Sequence, residues 1–102
     1  MIDLQHLSRQ TQGNQSLERE VLDLFLRQSK LQIERLKAEE SEKDKREVAH
    51  AIHGAALAIG AFEIARIAAE LESGKRHSEA DIAVLAAALD KARAFIVAYL
   101  AR

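Results

Sequence analysis

The residues best suited to chemistry in this chain are two histidines three apart, His50 and His53, followed at once by Gly54. A free imidazole titrates near about pH 6.5, so its neutral, nucleophilic form is available at neutral pH. Phosphoryl transfer asks the protein mainly for positioning and charge stabilisation. An exposed imidazole therefore needs little else when a partner brings the metal and the acid chemistry. Two histidines at this spacing are also a start toward a metal site, but such a site needs a third or fourth ligand and an ordered second shell. Glu47 and Glu72 are available, yet nothing in the spacing demands either, and no metal is expected. His6 and His77 lie near helix ends and read as ordinary surface residues. No nucleophile–base–acid set, phosphate-cradling glycine loop or dinucleotide motif is present, so an independent enzyme is not expected.

On a helical wheel at about 100° per residue, the stretch around the two histidines has unlike sides. Val48, Ala49, Ile52, Ala55, Ala56 and Ile59 gather opposite His50 and make a complete core face. The His50 side carries His53, Gly54, Leu57 and, at the helix end, Ala61, with Arg46 one turn earlier as the nearby charge. A solvated face ordinarily carries Glu, Lys or Arg there. A helix buried all round is the plain alternative, but it would bury two histidines that each need a hydrogen-bond partner. Gly54 inside a helix costs about 1 kcal/mol relative to Ala, and close approach of another body is a reason to have it. The pattern favours an uncharged docking face around an exposed imidazole, suited to a protein partner.

Five helical stretches must position this face. A short one runs from about Asp3 to Gln10, with Asp3 as N-cap, and Gly13-Asn14 interrupts the chain after it. The second runs from Gln15 or Ser16 to about Glu39. Its apolar residues, among them Leu17, Leu22, Leu24, Phe25, Leu31 and Leu36, form a broad stripe read as core, with Leu22 and Leu26 as candidates to extend the docking face. Ser41-Glu42-Lys43-Asp44 resembles a capping box and opens the third, which Gly60 ends. The fourth spans about Ala61 to Glu72, and Ser78-Glu79-Ala80-Asp81 caps the last. Leu4 and Leu7 tuck the first helix over one end. Short loops make sequential helices antiparallel. The expected fold is all-α: an antiparallel up-down four-helix bundle with a short N-terminal covering helix.

Composition bounds the rest. With 102 residues, the chain suits one domain over 1–102 with one modest core. It has no cysteine, so no disulfide, and no proline, which favours helix throughout. Net charge is −1 with signs interspersed, and the aromatics are only Phe25, Phe62, Phe95 and Tyr99, poor material for binding nucleic acid. No apolar run approaches the roughly 20 residues that cross a bilayer. Met1-Ile2-Asp3-Leu4 lacks the regions of a signal peptide. A cytoplasmic monomer is expected.

Ala49-His50-Ala51-Ile52-His53-Gly54-Ala55-Ala56 with Gly60 resembles the signature of histidine-containing phosphotransfer (HPt) domains, Ala-His-x-Leu-Lys-Gly-Ser/Ala followed by a further glycine. Ala68-Ala69-Glu70-Leu71-Glu72 and Glu20-Val21-Leu22-Asp23-Leu24-Phe25 are similar to other parts of that family. The resemblance implies a phosphocarrier without catalytic activity of its own. It would exchange a phosphoryl group with the aspartate of a receiver domain, on a response regulator or a hybrid histidine kinase. It needs no cofactor itself, since the receiver brings Mg²⁺. His50 matches the phosphorylated position, Gly54 the glycine that lets the receiver approach, Glu72 a position that holds the ring's other nitrogen, and Gly60 the glycine closing the helix. Ala51, Leu57 and Gly60 are assigned to docking. Taking His53 as acceptor fails, because Ala56 and Leu57 then fall where lysine and glycine belong. The departure is His53 itself, where the family usually has lysine, a full positive charge. Arg46 is the candidate to supply that charge. The alternative reading is a non-phosphorylated helical adaptor that docks a receiver or kinase domain through the same face. A purely structural bundle is the third.

Overall fold

Local capping chemistry decides where the helices begin. Asp3 accepts a hydrogen bond from the His6 N–H at 3.0 Å, and Asn14 accepts from the Leu17 N–H at 3.0 Å. Ser41 accepts from the Asp44 N–H, while Ser78 and Asp81 cap one another reciprocally. Each cap satisfies an N–H that the first helical turn leaves without a partner. The computed structural model, which describes residues 2–38, 41–74 and 78–102, accordingly contains α1 (Leu4–Gln10), α2 (Gln15–Ala38), α3 (Glu42–Ile59), α4 (Phe62–Glu72) and α5 (Glu79–Leu100).

Helices α2 to α5 close a ring in which α2 packs on α3 and α5, and α4 packs on α3 and α5. Cross-helix bonds give the direction. Tyr99 donates to the Glu18 carboxylate, and Arg19 donates to the Leu100 carbonyl at 2.9 Å, so the end of α5 lies beside the start of α2. The expected antiparallel four-helix bundle is present. The covering helix α1 lies on α3, with Leu7 fully buried and the Asp3 N–H donating to the Gly60 carbonyl at 2.9 Å. The largest side chains at the centre, such as Leu36, Ile52, Leu85, Leu89 and Ile96, are completely enclosed. Each contributes about 1.5–3 kcal/mol through burial, which stabilises helices that would be marginal alone.

The α2 stripe is narrower than its apolar pattern. Leu22, Phe25 and Leu36 are buried, and Val21, Leu26 and Ile33 pack partly against them, but Leu17, Leu24 and Leu31 are exposed. Because α2 packs mainly on α3 and α5, its buried arc is the side between them, and residues at 17, 24 and 31 fall outside it. Leu22 is therefore core rather than docking surface. No described helix is long and apolar enough to cross a membrane.

Candidate functional site

The core face of α3 lies where the wheel places it: Val48, Ala49, Ile52, Ala56 and Ile59 are buried, with Ala55 half-buried at the edge. The spacing of three puts His50 and His53 together on the other side. The His50 side chain is 73 % exposed. The left-handed turn at Gly60 sends α4 back along α3, so that its last residue, Glu72, reaches both rings. Glu72 Oε2 lies 2.7 Å from His50 Nδ1, and Oε1 lies 3.0 Å from His53 Nδ1. An ionised carboxylate only accepts hydrogen bonds, so Nδ1 of each ring is the donor. In neutral His50 the lone pair then resides on Nε2. The hydrogen bond from His50, followed by that from His53, holds the Glu72 carboxyl below its ordinary value and outweighs its partial desolvation.

The other assigned residues divide. Ala51 and Leu57 are exposed on the His50 side. Gly54 is exposed too, and a Cβ built there meets nothing within 4 Å, so no packing among the described residues asks for a glycine. Gly60 is not docking surface. It is buried with φ +78°, and a Cβ there would lie 2.8 Å from the Asp3 carbonyl oxygen, because the chain entering α1 crosses directly over it. Ala61 is likewise buried, since the chain has already turned into the core. Arg46 lines a shallow cleft with Lys43, Glu47, His50 and Glu72. Its guanidinium extends toward Gly74, beyond the end of α4.

Two contributors escaped the sequence reading. Lys43 stands two turns before His50, a spacing that returns it to the same side, and is a second cation of the cleft. His6 is no idle surface residue: its Nε2 lies 2.9 Å from the Leu57 carbonyl oxygen, and its ring meets Phe62 edge-on at 5.2 Å. It ties α1 to the last turn of α3. No local signal marks this, because it depends on where α1 lands. His77 lies outside the described residues.

The arrangement offers an exposed nucleophilic nitrogen, a carboxylate fixing the ring that carries it, and cations nearby. No curated protein and no solved structure matches the chain significantly. The family model described as Hpt domain matches residues 20–95, a span that includes His50, His53, Gly54 and Glu72. With most of its length inside that match and a helical bundle as its fold, the chain belongs to the Hpt domain family.

Proposed function

We propose that this chain is a phosphocarrier of a two-component phosphorelay, accepting a phosphoryl group on His50 from a receiver aspartate and returning it to one. The observation that carries this reading is the Glu72 bond to Nδ1 of an exposed His50, which leaves the lone pair on Nε2. The Nε2 lone pair attacks the phosphorus of the aspartyl phosphate. The N–P bond forms as the P–O bond to the aspartate breaks, and the carboxylate leaves with the bonding electrons. The ring keeps its Nδ1 proton and becomes a phosphoimidazolium, whose positive charge faces the Glu72 carboxylate. That form has a good leaving group, so the same arrangement serves transfer in the other direction. His53 holds the second oxygen of Glu72 and keeps the carboxylate in place. Lys43 and Arg46 supply positive charge in the cleft for the phosphoryl oxygens.

The partner is the receiver domain of a response regulator or hybrid histidine kinase, meeting the surface of Ala51, Gly54 and Leu57. The chain acts as a cytoplasmic monomer and a single unit over 1–102. Mg²⁺ belongs to the receiver, and the chain itself has no independent catalytic activity.

Incubation with phosphorylated receivers tests the proposal. Acid-labile, base-stable phosphate is expected on the chain, lost with His50→Gln and kept with His53→Gln. Label surviving His50→Gln would refute the site. Binding without label across several receivers would favour the non-phosphorylated adaptor.

A further inference from the structure

The residues that hold His50 also form a transition-metal donor set. We propose that His50, His53 and Glu72 bind a borderline divalent ion, Zn²⁺ being the one that fits best, and that the bound ion silences His50 as a phosphoryl acceptor. The second half rests on the phosphocarrier reading above; the first does not.

The spacing of His50 and His53 left the third ligand open, and the return of α4 along α3 supplies it. One ligand atom from each of His50, His53 and Glu72 lies within 4.8 Å of the others. With bonds of about 2.0–2.2 Å, neighbouring ligand atoms of a tetrahedral zinc ion stand roughly 3.2–3.5 Å apart. The Glu72 carboxylate already faces both rings, Oε2 at 2.7 Å from His50 Nδ1 and Oε1 at 3.0 Å from His53 Nδ1, so a small turn of the carboxylate and rings would set one oxygen and both nitrogens around an ion. Two imidazoles and one carboxylate with an open fourth position match zinc sites that keep a water ligand. The exposed His50 ring gives the ion and that water a way in. Mg²⁺ prefers oxygen ligands and six-coordination, so this nitrogen-rich set discriminates against it.

The consequence follows from the tautomer. Coordination through Nδ1 requires the lone pair there, so the single proton of neutral His50 moves from Nδ1 to Nε2. No proton is released from the ring. Nε2 then carries N–H and has no lone pair with which to attack phosphorus. Metal binding and phosphoryl acceptance exclude one another, although they use different nitrogens. Histidine at position 53 is what creates the site, because a lysine there would place a charged ammonium against the ion.

The test is titration of the metal-free full chain with Zn²⁺, followed by calorimetry and by ¹⁵N NMR of the imidazoles. One ion per chain is expected, with His50 and His53 both moving to Nε2–H. Affinity should fall by about tenfold or more in His53→Lys and Glu72→Gln. It should be unchanged in His6→Gln, and Mg²⁺ should leave the spectra unaltered. Absence of saturable binding through the micromolar range, or binding indifferent to His53→Lys, would overturn the site. In transfer assays, Zn²⁺ should block the unaltered chain reversibly, while His53→Lys keeps its own zinc-free rate. Equal inhibition of both would place the ion on the receiver and overturn the silencing. Because binding is read without a receiver, failure of the phosphocarrier reading would leave that result standing and distinguishable.

Discussion

The two faces of α3 are built on opposite terms. One carries Val48, Ala49, Ile52, Ala56 and Ile59, all buried; the other carries His50, Ala51, Gly54 and Leu57, all exposed. The same helix thus holds the bundle together on one side and presents an exposed imidazole on the other. The two glycines repeat the contrast. Gly60 is required by its own chain, through a left-handed φ and the Asp3 backbone above it. Where a Gly54 Cβ would stand, none of the described residues lies within 4 Å, so its helix-weakening presence points outward. Stability and activity should therefore separate by face.

The largest effect on stability is expected from Ile52→Ala. Removing this fully buried side chain should cost about 2–5 kcal/mol, read as a lower urea midpoint. The fraction still folded should transfer phosphate normally. Gly60→Ala should come next, costing about 1–3 kcal/mol through backbone strain, because its Cβ would stand 2.8 Å from the Asp3 carbonyl oxygen. Gly54→Ala should move the other way, stabilising the bundle by about 0.5–1 kcal/mol while slowing exchange with a receiver. If Gly54→Ala destabilises the chain, or leaves exchange untouched, the contrast between the glycines fails.

The smallest effect is a pH dependence. Glu72 is held below the ordinary glutamate value of 4.5 by His50 and His53. A carboxyl depressed in the folded state contributes stability that is full above its unfolded value and is lost as pH falls through the folded one. Urea midpoints measured from neutral pH down through this range should fall less steeply for Glu72→Gln. An unchanged slope would show that the two histidine bonds contribute nothing to the fold.

Much of this was legible from local chemistry. Asp3, Ser41, Ser78 and Gly60 mark helix ends because caps are set by a few neighbouring residues. The wheel around His50 separated the faces of α3 because burial follows a regular period. What depended on how helices land on one another was not legible. The pairing of His53 with Glu72 is decided by the register of α3 against α4. The bond from His6 to Leu57 needs the placement of α1. Leu17, Leu24 and Leu31 share the apolar character of the α2 core residues, and only the ring of neighbours shows that they face outward. Gly60 was assigned to docking because its place in the motif does not reveal the chain crossing over it.

The clamp on Nδ1 is the central claim, and the phosphorylated chain examined by ³¹P and ¹⁵N NMR tests it most directly. Phosphorus is expected on Nε2 of His50, with the Nδ1 proton retained and shared with Glu72. Phosphorus on Nδ1 of His50, or on His53, would contradict it.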